Sequence, residues 1–143
     1  MKKIEKSGDE STKYPSLSEI IVINEKVRKR YILFDLNGGR NLIHPDIIEH
    51  ALNAIKFPIF GFNLHPGVFS KTAYLSYTII KRHPFFTFNE ETGLLVAKLF
   101  LKKNGFTLLL PRNCRRVIID IIEGKMNQDN FKNWLRKNCV KID

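Results

Sequence analysis

Acidic residues are scarce in this chain: 14 Asp and Glu stand against 24 Lys and Arg in 143 residues, a formal net charge of +10. Cysteine is scarcer still. Cys114 and Cys139 form neither a CxxC pair nor a metal-ligand spacing, which excludes a thioredoxin-like redox motif and a cysteine zinc site and leaves two reduced thiols as the default. No uninterrupted apolar stretch approaches the ~20 residues that a membrane helix needs, so a membrane span is excluded. The first ten residues carry charge without a following apolar region, which excludes a secretory signal and makes the cytoplasm the expected location. No internal repeat is present, and 143 residues suit one domain with a real core.

The positive charge is clustered at Lys26, Arg28, Lys29 and Arg30, at Arg112, Arg115 and Arg116, and at Lys132, Arg136, Lys137 and Lys141. None of these runs sits in a recognised nucleic-acid module, so they read as solvated helix faces. A DNA-binding role would rest on charge alone. A basic surface of this kind also attracts an acidic protein partner.

Helical signals dominate. Residues 1–14 read as a flexible polar tail, and 15–143 as a single domain. Ser16-Leu17-Ser18-Glu19 fits a capping box that opens an amphipathic helix through Lys29. Asn37-Gly38-Gly39 breaks the chain. Pro45 opens a second helix with Ile47, Ile48, Ala51, Leu52 and Ile55 on its apolar face. A third is expected from Val68 to Lys81, with Ala73, Tyr77 and Ile80 as a buried stripe. The run Leu94 to Leu101, broken only by Lys98, predicts a buried central helix that stops at Asn104-Gly105. An extended link over Phe106 to Leu110 and two closing helices, Asn113 to Glu123 and Gln128 to Asn138, complete an all-α bundle.

Ahead of the central helix lies the densest run of chemistry, His83-Pro84-Phe85-Phe86-Thr87-Phe88-Asn89-Glu90-Glu91-Thr92-Gly93. A loop that ends at a helix N-terminus offers unpaired N–H groups and the positive end of the macrodipole, which is an anion site in waiting. The segment resembles the signature of the Fic and Doc (death-on-curing) family, His-x-Phe-x-Asp/Glu-Gly-Asn-Lys/Gly-Arg, through His83, Phe85 and Asn89. Thr92, Ala97, Phe100-Leu101 and Asn104-Gly105-Phe106 are similar to the stretch that follows it in Doc-type members. Pro45, Ile47-Ile48-Glu49 and Ala51-Leu52 are similar to an upstream helix start, and Ile122-Glu123-Gly124-Lys125 with Phe131, Trp134 and Leu135 to the C-terminal end. The resemblance runs over residues 16–138 and implies a compact Fic/Doc-type bundle around a buried central helix, with room for a short flap hairpin over Phe57 to Leu64. That segment reads either as an exposed flap that adds a strand to an incoming peptide or, favoured by its aromatic content, as a lid packed on the core.

Four positions depart from the signature. Thr87 replaces the metal-binding carboxylate, and a neutral hydroxyl is a poor sole protein ligand for Mg²⁺. Phe88 replaces the glycine, where a bulky residue resists positive φ, so the phosphate nest is expected to be reshaped. Glu90 and Glu91 replace the Lys/Gly-Arg pair. At about 4 Å and an effective dielectric near 20, turning attraction to repulsion swings binding by up to roughly 8 kcal/mol, and even a third of that is about two orders of magnitude in affinity. The two acids instead complement the helix dipole and are expected to self-cap the central helix.

Two functions follow from the resemblance. One is a Doc-like protein of toxin–antitoxin type, catalytically impaired and acting through protein binding, with a small antitoxin-like partner. The alternative is a nucleotide-dependent transferase, a protein kinase or adenylyltransferase acting on a hydroxyl of a protein target in translation, with ATP and Mg²⁺. There His83 would be the general base, Asn89, Phe85 and Thr92 would form the anion or nucleotide site, and Arg82, Lys81 or Arg40 would replace the lost arginine. On the residues alone His83 also reads as a turn anchor before Pro84, and Asn89 as a loop cap. No metal site is expected. A divalent site built from His83, Glu90 and Glu91 is the remaining alternative.

Overall fold

The computed structural model describes residues 11–31 and 41–142. Over them the chain forms α1 (Leu17–Tyr31), α2 (Pro45–Lys56), α3 (Gly67–Arg82), α4 (Asn89–Lys103), β1 (Phe106–Leu108), α5 (Cys114–Ile122), α6 (Gln128–Lys137) and β2 (Cys139–Lys141). The fold is mostly helical, with one small antiparallel sheet that pairs Phe106 with Lys141 and Leu108 with Cys139. The sheet corrects the all-α expectation. Three-residue strands are too short to display a period-two pattern, so the sequence showed only an extended link.

The capping box forms as read: Glu19 N donates to Ser16 Oγ at 3.1 Å, and Ser16 N to Glu19 Oε1 at 2.9 Å. Pro45 occupies the first turn of α2, and Ile47, Ile48, Ala51, Leu52 and Ile55 are all buried. Lys13 and Tyr14, read as the end of a flexible tail, are held on the fold. Lys13 exchanges backbone hydrogen bonds with the Asn104 side chain at 2.9 and 2.8 Å, and the Tyr14 ring packs 5.7 Å from that of Phe100. Residues 1–10, the Asn37-Gly38-Gly39 break and Arg40 lie outside the described residues.

α3 and α4 run between two cores. Leu75, Ile79, Val96 and Phe100 join α1 and α2 on one side, while Ala73, Ile80, Leu94, Ala97 and Leu101 join α5 and α6 on the other. Burial on two sides explains why the periodicity of α4 is diffuse. The two helices touch at Gly93, where a Cβ would lie 2.6 Å from Ile80 Cγ1 and 3.1 Å from Ser76 O. Ser76 Oγ donates to Gly93 O at 2.7 Å, so the close approach is sealed by a hydrogen bond. Tyr77 is only half-buried rather than part of a closed stripe, because its hydroxyl reaches the Met126 carbonyl at 3.2 Å. The tight α3–α4 pairing fixes the two ends between which the 83–88 loop is strung.

Candidate functional site at the 83–91 loop

His83 ends α3 in the left-handed conformation, φ 54° and ψ 64°, with its N–H on Ile79 O at 3.2 Å. Such a conformation in a histidine is uncommon but tolerated, and it turns the chain sharply toward Pro84. Pro84 O then accepts from both Ile43 N and His44 N at 2.9 Å, and Phe86 N donates to Asn41 O at 2.7 Å. Phe85 is buried in the first core. Asn89 clips the turn from inside: its Oδ1 accepts from Phe85 N and its Nδ2 donates to Phe85 O, both at 2.8 Å. That is the loop-cap role, and it occupies the carboxamide that the nucleotide reading assigned to phosphate.

A ladder of buried amides holds the other side of the loop. Asn24 Nδ2 donates to Thr87 O at 3.1 Å and Thr92 Oγ1 at 3.0 Å, while Asn41 Nδ2 donates to Asn24 Oδ1 at 2.7 Å and Thr87 O at 3.1 Å. Thr87 Oγ1 closes the set by donating to Asn41 Oδ1 at 3.2 Å. The Thr87 hydroxyl, where the Fic/Doc signature has a carboxylate, is thus a structural donor. Thr92 is fully buried beneath the ladder, its hydroxyl oxygen taken by Asn24. Sequence reasoning missed Asn24 and Asn41. Asn24 had a signal, being the one amide on the buried Ile20–Val27 face of α1, whereas Asn41 had none.

Phe88 takes positive φ in spite of its bulk: it sits at φ 63°, ψ 32°, the left-handed geometry that favours glycine, and caps α4. The strain is of order 1–3 kcal/mol. Its ring stacks on Tyr31, centroids 5.4 Å apart and planes 19° from parallel, a contact worth about 0.5–1.5 kcal/mol that offsets part of the strain. α4 begins at Asn89, which places Glu90 and Glu91 in its first turn, where carboxylates complement the dipole. Glu90 Oε2 lies 3.1 Å from His83 Nε2, and Glu91 Oε2 lies 3.4 Å from Arg30 Nη1. All four side chains are about a third or more exposed, so each pair contributes at most about 1 kcal/mol.

The two acids therefore diverge, which overturns a metal site built on His83, Glu90 and Glu91. Adjacent residues on a helix do not face one another. Among the described residues no group of three His, Cys, Asp or Glu is placed to hold a metal ion. Of the cations offered as substitutes, Lys81 and Arg82 are exposed at the end of α3, while the cation that meets the loop is Arg30.

The segment from Phe57 to Leu64 is not a lid on the core. Ile59 and Phe62 exchange backbone hydrogen bonds of 2.8 and 2.9 Å around Phe60 and Gly61, both at positive φ, so the segment is a two-residue hairpin turn. Phe57, Phe62 and Leu64 are exposed, and Phe60 at the tip is 94% exposed. The reason lies in Lys71, which is wholly buried in α3 and donates to His65 O at 2.7 Å and Asn63 Oδ1 at 3.3 Å. The buried ammonium claims the base of the turn and holds its tip outward. Partial burial, followed by the charge of Lys71, lowers the His65 pKa below its ordinary value.

The basic clusters divide as well. Arg28 is buried, Arg136 lies over the Phe69 ring at 5.2 Å, and Arg112, Arg115 and Arg116 are exposed. Cys114 and Cys139 are free thiols, and burial raises the pKa of Cys139. Among the described residues no helix is long and apolar enough to cross a membrane. No family model and no curated protein matches the chain.

Proposed function

We propose that the chain is a Doc-like protein of toxin–antitoxin type whose Fic-like loop has lost its usual transfer chemistry and which acts by binding other proteins. The observation that carries this reading is the pairing of the loop with its own side chains: Glu90 on His83, Glu91 on Arg30 and the Phe88 ring on Tyr31. The two carboxylates offset the positive charge of His83 and Arg30 beside the helix start, and two added negative charges repel a triphosphate. The clip from Asn89 and the amide ladder keep the loop shape without leaving those amides for phosphate. The exposed turn at Phe60 supplies apolar surface and strand-like backbone for a polypeptide partner. In this reading the partner is a small antitoxin-like protein, and the target to which the pair is directed belongs to translation.

One observation favours the transferase reading as the second choice: Phe88 retains the left-handed backbone that a phosphate-cradling glycine would supply. His83 would then accept the proton of the attacking hydroxyl, the start of α4 would face the phosphates, and bound ATP and Mg²⁺ would supply the transferred group.

Calorimetric titration of the purified protein with ATP and Mg²⁺, then with GTP, CTP and UTP, separates the two. The binding-protein reading expects no heat above dilution. Saturable heat that requires Mg²⁺ and vanishes in His83→Ala would overturn it.

A further inference from the structure

A cavity of about 340 Å³ opens between α1 and the chain that leads into α2. Its polar lining is Asn24, Glu25 and Asn41, and its apolar walls include Ile21, Leu42 and Phe85. The two amides are buried, and their hydrogen bonds show what they have left to offer. Both N–H bonds of the Asn24 carboxamide are spent, on Thr87 O and Thr92 Oγ1, and both of Asn41 on Asn24 Oδ1 and Thr87 O. Each carboxamide oxygen accepts one hydrogen bond, Asn24 Oδ1 from Asn41 and Asn41 Oδ1 from Thr87, and such an oxygen has two lone pairs. The side chains of the lining therefore have acceptors to spare and no donors. Glu25 adds a carboxylate and is the one charged side chain among the described residues of the lining. It is half-buried and forms no ion pair among the described residues.

We propose that this cavity binds a primary ammonium group carried on a short apolar stem. An ammonium has three N–H donors and no acceptor, which matches two amide oxygens and a carboxylate in number and in kind. Its charge-assisted bond to Glu25 offsets the cost of taking the group out of water. Ile21, Leu42 and Phe85 receive the stem, and the volume suits a small molecule, near the low end of the usual range of about 300–1,000 Å³. A phosphate meets no side-chain donor here, and a bare alkali ion leaves the apolar walls without a partner. The amides that floor the cavity also brace the 83–91 loop through Thr87 O, so the ligand rests on the back of the loop's support. The inference stands on these acceptors and is independent of whether the loop binds nucleotide.

The test uses the full chain, isotope-labelled for NMR, and three small molecules of similar shape: phenethylamine, phenethyl alcohol and hydrocinnamate. Phenethylamine should bind saturably, shift the side-chain amide signals of Asn24 and Asn41, and exceed the alcohol in affinity by at least about tenfold. Hydrocinnamate should leave those signals unmoved. Glu25→Gln keeps the shape and removes the charge, and should weaken the amine by about fivefold or more. Leu42→Trp, at a half-buried position, fills the cavity and should abolish binding, while Glu49→Gln, exposed on α2, changes nothing. A thermal melt confirms that each variant is folded. A blocked Gly-Lys-Gly peptide carries the same ammonium on a lysine. Tighter binding of the peptide than of phenethylamine assigns the group to a lysine of a partner, weaker binding assigns it to a free amine, and either supports the site.

Equal affinity for the amine and the alcohol overturns the proposal and leaves an apolar hollow. So does amine binding that is indifferent to both Glu25→Gln and Leu42→Trp, which places it elsewhere on the surface. Asn24 and Asn41 signals that stay fixed at the highest soluble amine concentration also overturn it, since the cavity then holds only water.

Discussion

The carboxamide of Asn89 satisfies both backbone groups of Phe85, donor and acceptor, with two hydrogen bonds of 2.8 Å inside the protein. Few side chains can do this, because it takes one donor and one acceptor held in a plane. Asn89→Ala should therefore leave two buried backbone groups unpaired and lower stability by about 2–4 kcal/mol. Asn89→Asp should also destabilise the fold, since a carboxylate can answer the N–H but is repelled by the carbonyl. Urea denaturation of the three proteins measures both. A loss below about 0.5 kcal/mol for the alanine variant would remove Asn89 as the clip.

Phe88 sets two effects against each other. Phe88→Gly relieves the left-handed strain and gives up the Tyr31 stack, while Phe88→Ala gives up the stack and keeps the strain. The glycine variant should accordingly be the more stable of the two by about 1 kcal/mol. Thermal or urea melts decide it, and an alanine variant equal to glycine would mean that the φ of 63° is not where the cost lies.

His65 should leave a signature in the pH dependence of stability. Its pKa in the fold lies below the ordinary 6.5, through burial first and the Lys71 ammonium second. The unfolded chain therefore binds more protons than the fold in that window, so the contribution is fully present above 6.5 and is lost as the pH falls through the folded value. Stability should decline from neutral pH into that range, and His65→Gln should flatten the decline. An unchanged slope in the variant would count against the coupling of His65 to Lys71.

Placing the residues of the Fic/Doc signature at the four positions together, Thr87→Asp, Phe88→Gly, Glu90→Lys and Glu91→Arg, should raise Mg²⁺-dependent triphosphate affinity by at least about tenfold over that of the natural chain. Glu91→Arg also places a second guanidinium beside Arg30, so a small loss of stability is expected with it. A folded quadruple variant with no gain, read by calorimetry, would count against the account of a lost phosphate nest.

Much of the helical architecture was legible in advance because its signals are local. The Ser16–Glu19 box, Pro45 at the start of α2 and the stop at Asn104-Gly105 each act within one turn of chain, and each is found where the residues placed it. The start of α4 at Asn89 carries no such local signal, since Phe88 caps it through a backbone conformation that no side-chain preference announces. The sheet was invisible for a different reason: β1 acquires its partner from residues over thirty positions later.

What the sequence determined by itself was the helical periodicity, the caps and the set of unusual residues at 83–91, because each depends on spacing along one stretch of backbone. What only the tertiary structure decided was the use of those residues. Asn24 reaches Thr87 and Thr92 across more than sixty positions, Arg30 meets Glu91, and the buried Lys71 holds the aromatic turn outward. An open cleft lined by Val22, Leu95 and Leu99 likewise exists only because α1 and α4 pack side by side. Burial and pairing are properties of neighbours in space, and a single chain read in order does not state who those neighbours are.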